Sequence, residues 1–264
     1  MRRILKKYLS RKLQYTLLSY LRLINVVWIN PFRNFRAKGF LKFLVDKRKL
    51  KKTNELPLSN YPILTDFKDS AGVMSGHYFH QDLAVAQKIY EARPKRHVDV
   101  GSRIDGFVAH VAAFRAIEII DIRVVNSKVP NISFVQGDLM KPSEIRSDSL
   151  SCLHTIEHLG LGRYGDSIDP QGHLKGFENL VDMLEKGGSL YISFPIGSDE
   201  RVEFNAHRVF NPLSILGWKG SESLSLRDFA YVDDSGDIHK DTSPQVAADE
   251  RLIYGCGIYT FEKI

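Results

Sequence analysis

His97-Val-Asp-Val-Gly101-Ser-Arg-Ile-Asp-Gly106 decides the fold. His97–Val100 reads as a short strand that stops at Gly101, and Gly106–Arg115 reads as a helix. A strand that turns at glycine into a helix opens a βαβ unit. Working outward, Ile117–Ile122, Ile132–Val135, Ser149–Ile156 and Ser189–Phe194 read as four further strands, with a helix over Gly176–Glu185 before the last. Upstream, Leu83, Val85, Ala86, Ile89 and Tyr90 give Asp82–Ala92 a helical period. Downstream, Ser225–Val232 and Gly257–Phe261 supply two more strands around the turn-rich Asp233–Ser243. This alternation predicts an α/β fold with a mostly parallel seven-stranded sheet and helices on both faces.

The 264 residues are 43% hydrophobic and 26% charged, which excludes a disordered or disulfide-scaffold chain. The net charge of +6 joins two unlike parts. Residues 1–52 carry sixteen Lys and Arg against the single acid Asp46, whereas residues 53–264 carry 21 basic and 30 acidic residues. The basic balance therefore belongs to a leader, and nucleic acid is not expected as a partner of the domain. The expected organisation is a leader over 1–52, a linker rich in Asn, Ser, Pro and Gly over 53–76, and a domain over 77–264. The two cysteines, Cys152 and Cys256, lie far apart in apolar surroundings and suit a reducing compartment, so the expected location is cytoplasmic. There is no HExxH and no paired CxxC, so no metal site is expected.

Within the leader, Leu5, Leu9, Leu13, Leu17, Leu21, Ile24 and Trp28 form one stripe of a helix over Arg2–Ile29. Arg22 interrupts its most apolar stretch, which disfavours a membrane span, and no small-residue cleavage site ends it. A helix lying on an anionic membrane surface, at its inner face, fits better. Docking on the domain or a second subunit, and organelle targeting, remain open for the same stripe. A second basic-aromatic run follows, with Phe40, Phe43 and Leu44 among Arg36, Lys38, Lys42 and Lys47–Lys49.

Ligands of such sheets bind at the carboxyl ends of the strands. Asp99, Gly101, Arg103 and Gly106 follow the first strand, Asp121 closes the second, and Asp138 follows the third. Gly101 leaves backbone N–H groups free at its turn, Asp121 can accept both hydroxyl protons of a ribose, and Asp138 can meet an adenine edge. Gly101-x-Arg103-x-x-Gly106 departs from the dinucleotide pattern, because Arg103 stands where a glycine would admit the pyrophosphate. That disfavours a nicotinamide enzyme; the other candidate is S-adenosylmethionine, which has no phosphate, and these residues by themselves describe an adenosine-type pocket without naming its cofactor.

Three segments resemble class I S-adenosylmethionine-dependent methyltransferases. His97-Val-Asp-Val-Gly101 looks like their first motif, and Ser151-Cys-Leu-His-Thr-Ile-Glu-His158 resembles their fourth strand with its Glu-His ending. Leu184-Glu-Lys-Gly-Gly-Ser-Leu-Tyr-Ile-Ser-Phe-Pro195 looks like their entry into strand five. The chain is also similar to a methyltransferase-like family of unknown activity linked to bacterial surface-polysaccharide synthesis. That likeness lies in Gly76–Asp82, Gly101–Phe107, Gly160–Asp166 and Phe204–Phe210. These resemblances imply a Rossmann-like fold, S-adenosylmethionine as cofactor, and a hydroxyl of a glycan or glycolipid precursor as acceptor. The general pattern would place glycines at positions 103 and 105, where this chain has Arg103 and Asp105. Arg103 could bind a methionine carboxylate, and Gly106 could supply the close approach.

For a hydroxyl acceptor a base is needed, and His158, just after strand four, is the candidate. Glu157 could orient the cofactor or fix a backbone turn. His80, Arg163, Tyr164, Asp166, His173 and His207 could hydrogen-bond a sugar, or serve as helix caps and surface polar groups. The competing expectation is a non-catalytic binding or scaffold domain that kept the fold while its first loop diverged.

Overall fold

The computed structural model describes residues 37–126 and 128–264, so the helix expected over Arg2–Ile29 lies outside the described residues. The chain divides into two units at Val73/Met74.

In the first unit, helix α1 (Ala37–Leu50) has no acid in its first turn and ends in Lys47, Arg48 and Lys49, which suits the negative C-terminal end of a helix dipole. Gly39 lies against the Leu64 backbone, and Lys47 Nζ donates to Asn60 Oδ1 at 2.5 Å. Part of the stretch read as linker is thus in contact with α1. Leu41, Leu44, Val45 and Leu50 of α1 stay exposed. No described helix is long and apolar enough to cross a membrane.

The second unit begins with α2 (His77–Ala92), then β1 (Val98–Val100), a wide turn over Ile104–Val108, α3 (Ala109–Ala112), β2 (Ile117–Asp121), β3 (Ile132–Gln136) and β4 (Ser147–Leu153). It continues with α4 (Gly172–Met183), β5 (Leu184–Ile196), β6 (Arg201–Glu203), β7 (His207–Val209), β8 (Leu224–Val232), β9 (Ile238–His239), α5 (Pro244–Asp249) and β10 (Gly255–Lys263). The main sheet has the order β3-β2-β1-β4-β5-β10-β8-β9, and β6 pairs with β7 separately. Strands β1 to β5 run parallel, whereas β10 is antiparallel to both β5 and β8. The seven expected strands are all present. The two-residue β9, too short to leave a periodic signal, makes an eighth.

Alternation along the strands covers both faces. Leu190, Ile192, Phe194 and Ile196 of β5 pack with Phe177 and Leu180 of α4 and with Tyr259 and Phe261 of β10. On the other face Ile117 and Ile119 of β2 and Cys256 and Ile258 of β10 pack with Val85 and Ile89 of α2 and with Val111 of α3.

The boundaries that differ have local causes. Helix α2 starts at His77 rather than Asp82, because Gly76 N–H and Ser75 Oγ both donate to Gly236 O, at 2.8 and 2.9 Å, and fix its entry. The helix expected over Gly106–Arg115 is broken into the wide turn and α3, since Gly106 takes φ −122°, ψ −105°. Strand β4 stops at Leu153 instead of Ile156, where His154 takes φ +49° and turns the chain out of the sheet. Helix α4 ends at Met183 rather than Glu185, and β5 begins at once with Leu184, so Gly187 and Gly188 lie within the strand.

Candidate functional site

Two adjoining cavities lie at the carboxyl ends of β1, β2 and β4. The larger, of about 640 Å³, is lined by the β1 turn (Gly101 to Asp105), by Asp121 and Arg123, by His154, Glu157 and His158, by Arg163 and Tyr164, and by Tyr78, His207 and Tyr254. The smaller, of about 60 Å³, is bordered by Gly101, Asp121, Asp138, His158, Tyr164 and Asp166. The larger falls in the usual range for small-molecule sites, and the smaller does not.

Gly101 borders both cavities. Its φ is +73°, and a Cβ there would lie 2.5 Å from Thr155 Cγ2. Both the left-handed backbone and the approach of the turn after β4 therefore require glycine. Asp99, expected to contact a ligand, is instead fully buried and lines neither cavity. Its carboxylate accepts from Ser102 N–H at 3.0 Å, Ser102 Oγ at 2.5 Å and Ser151 Oγ at 2.6 Å, joining the β1 turn to β4. Desolvation pushes its pKa up to about 6, against those hydrogen bonds. Ser151 also lies 3.1 Å from Nε2 of buried His97, whose pKa burial lowers to about 3.

Gly106 does not face a ligand either. A Cβ there would meet Asp82 Oδ2 at 2.5 Å, so its close approach is to α2. Arg103 does border the larger cavity, with Nε 3.2 Å from Asp105 and its guanidinium 4.8 Å from the Tyr78 ring centroid.

Asp121 reaches both cavities, and three donors from Arg123 already sit on its carboxylate. Arg123 donates to it through Nη2 at 2.7 Å, Nε at 3.0 Å and the backbone N–H at 2.8 Å. The same guanidinium stacks 4.4 Å from the centroid of Tyr164. Asp138, beside the smaller cavity, accepts from Met140 N–H at 3.0 Å.

Glu157 is fully buried at the wall of the larger cavity, with Oε1 2.8 Å from His154 Nδ1 and 3.6 Å from His158 Nε2. Desolvation disfavours its charge, yet the two imidazoles outweigh this and hold its pKa below the ordinary value. His158 Nδ1 is 2.7 Å from Ala206 O, a contact that puts the proton of a neutral ring on Nδ1 and leaves Nε2 as the acceptor. Burial lowers its pKa, which favours the neutral ring.

Among the expected acceptor residues, Arg163, Tyr164 and His207 do line the larger cavity, and His207 Nε2 is 3.2 Å from Glu203. Asp166 borders the smaller one and accepts from the N–H groups of Gly160, Gly162 and Tyr164, so it shapes the loop. His173 is placed elsewhere, between Phe210 and Trp218, where burial lowers its pKa to about 4. His80 packs edge-on against Phe79 and lines neither cavity. Arg208 is buried and donates to Glu157 O and Leu159 O, holding the turn after β4.

The sequence reading missed Arg123, Tyr78 and Tyr254, and gave no role to His154, which it placed at the end of strand four. The acid-base spacing of Asp121 and Arg123 was a readable signal for the first. Nothing local marks Tyr78 or Tyr254, which reach the cavity from opposite ends of the unit's sequence.

A family model described as a Caenorhabditis protein of unknown function, DUF268, matches residues 124–224. No curated protein matches the chain by sequence. Among solved structures, the chain is similar to the O-methyltransferase of the trans-AT PKS multienzyme of Brevibacillus brevis, in complex with S-adenosyl-L-homocysteine. There the identity is 11%, with 70% of this chain and 72% of that one covered and a TM-score of 0.50. It is also similar to the N-methyltransferase NodS of Bradyrhizobium japonicum WM9, in complex with the same molecule, at 13% identity over 86% of this chain and 98% of that one, TM-score 0.46. The first likeness and the strand order together give the chain a Rossmann-like methyltransferase fold.

Proposed function

We propose that the chain is an S-adenosylmethionine-dependent methyltransferase acting on a hydroxyl of a glycan or glycolipid precursor. The observation that carries the methyltransferase reading is one cavity of about 640 Å³ that joins the Gly101 turn, Asp121, Glu157 and His158. The sugar acceptor rests on the resemblance to the polysaccharide-linked family and on the polar lining from Arg163, Tyr164 and His207.

The residues present fit the cofactor on one condition. The Gly101 turn offers an open backbone, and Arg103 can pair with a methionine carboxylate at the same wall. The Asp121 carboxylate can accept ribose hydroxyls once Arg123 swings away from it. When bound, the cofactor supplies an electrophilic methyl group on a sulfonium. His158, its Nδ1 tied to Ala206 O, takes the acceptor hydroxyl proton at Nε2. Glu157, close to that nitrogen, stabilises the imidazolium as it forms. Tyr78, Tyr164 and Tyr254 wall the cavity with rings that limit water at the reacting oxygen.

The test is calorimetry with S-adenosylmethionine and S-adenosylhomocysteine. Binding that Asp121→Ala removes supports the reading, and no binding of either at millimolar concentration overturns it. The Arg123 contact with Asp121 favours a second reading, a non-catalytic domain whose ribose acceptor is permanently capped; that null result would establish it. The leader, residues 1–52, is proposed to hold the protein at an anionic membrane surface, supported by the exposed Leu41, Leu44 and Val45 beside Lys47–Lys49 on α1. Equal sedimentation with anionic vesicles of the full chain and a form lacking 1–52 would refute it.

A further inference from the structure

Three side chains distant in sequence converge beside the larger cavity: His77 from the first turn of α2, His154 from the turn after β4, and Cys256 from β10. Their ligating atoms all lie within 4.8 Å of one another, with His154 and Cys256 buried and His77 partly so. The two imidazole rings are nearly parallel, at 8°, with centroids 5.3 Å apart.

The surroundings of each group point to a bound cation. His154 Nδ1 faces Glu157 Oε1 at 2.8 Å, while its Nε2 is buried and makes no hydrogen bond. His77 packs against the Tyr254 ring, with centroids 5.2 Å apart. A carboxylate behind the imidazole, as Glu157 stands behind His154, is what orients histidines at metal centres. The Cys256 thiol makes long contacts, 3.7 Å to Gln81 Oε1 and 3.7 Å to Gly257 O, and also faces His154. A buried nitrogen without a well-formed hydrogen bond is destabilising, and a metal ion there would satisfy it.

We propose that His77, His154 and Cys256 bind a divalent cation of the zinc class, with Glu157 positioning His154. One thiolate and two imidazoles form a donor set suited to zinc, whereas magnesium and calcium take oxygen ligands. Zinc–nitrogen and zinc–sulfur bonds of about 2.0–2.3 Å require tetrahedral ligand atoms about 3.3–3.7 Å apart, so the triad contracts by roughly 1 Å on binding. His77, partly exposed at a helix start, can supply that movement.

On binding, the Cys256 Sγ–H bond breaks, an Sγ–metal bond forms, and the proton passes to solvent with no change of oxidation state. The thiolate and the Glu157 carboxylate then balance the two positive charges in a buried place. Three protein ligands leave a fourth position for water or a substrate oxygen. His154 and Glu157 also line the cavity, so the cation would sit at its wall. This assignment does not depend on methyl transfer.

The test uses the full chain, stripped with a chelator and titrated with zinc and with cobalt(II). We expect one zinc per chain with a Kd at or below about 1 µM. Cobalt should give a thiolate-to-metal charge-transfer absorption. Cys256→Ser should abolish that absorption and weaken zinc binding by at least about 100-fold, and His77→Asn by about 10- to 100-fold. Cys152→Ser, whose sulfur lies in the core on the other face of the sheet, should leave both unchanged. A cobalt-loaded wild-type chain without thiolate absorption overturns the proposal, whether or not the variants fold. Zinc affinity unchanged in Cys256→Ser overturns it as well.

Discussion

Replacing Arg123 by alanine should tighten the binding of S-adenosylhomocysteine. In the structure, Arg123 donates through Nη2 and Nε to the carboxylate of Asp121 at 2.7 and 3.0 Å and stacks on Tyr164 at 4.4 Å. A ribose that binds Asp121 on the side Arg123 now holds must displace those two bonds. Charge-assisted hydrogen bonds of this kind are worth about 1.5–3 kcal/mol when buried. Here the Arg123 side chain is 53% exposed, so solvent screening reduces the pair to about 0–1 kcal/mol. Loss of an exposed cation–π contact adds about 0.5 kcal/mol. A ligand therefore spends about 1 kcal/mol displacing Arg123, and its removal should lower the Kd by roughly fivefold. Calorimetry of the two proteins at low and high salt is the assay. The difference should shrink as salt rises, because the half-exposed pair is screened. An Arg123→Ala protein that binds no more tightly than wild type, or more weakly, would refute the reasoning and make Arg123 a ligand contact in its own right.

Asp99 should make stability depend on pH. Its pKa is raised from 3.8 to about 6, so its contribution is complete below pH 3.8 and is lost as pH rises through about 6. The loss amounts to about 3 kcal/mol, and urea unfolding of wild type against Asp99→Asn between about pH 3 and pH 8 should show their difference change by that amount. Gly101→Ala should cost about 1–3 kcal/mol for its left-handed backbone alone, with a further cost as Thr155 is pushed aside, read as a lower urea midpoint. Phe177→Ala, at a fully buried position of α4, should cost about 3–5 kcal/mol by the same measurement without altering the strand order.

Most of the sheet was legible because its physics is local. Val98 and Val100 flank Asp99 at the two-residue period, and each later strand carries its own apolar run. Boundaries failed where one backbone angle decided them, as at Gly106 and His154, since side-chain pattern carries no record of φ and ψ there. The candidate site was legible where ligand groups follow strand ends, which is how Gly101, Asp121, Glu157 and His158 could be named. Asp99 was misjudged because its position beside the turn suits a ligand contact as well as a buried clamp. Only its partners Ser102 and Ser151, the latter on another strand, distinguish the two. The His77, His154 and Cys256 cluster was invisible, since metal spacing in sequence is a property of single loops and these three come from a helix, a turn and a distant strand.

The place of β10 has a consequence for how the protein is made. It follows β8 and β9 in the chain, yet it lies between β5 and β8 in the sheet. While a ribosome is still translating β10, strands β1 to β5 can already pair, but β8 has only the two-residue β9 to join. Its buried faces, including Phe229 and Tyr231, must wait uncovered until β10 slides in along β5. The nascent chain therefore passes through a stage with the β5 edge open and a loose apolar strand beside it, the state in which strand exchange between two growing copies is easiest.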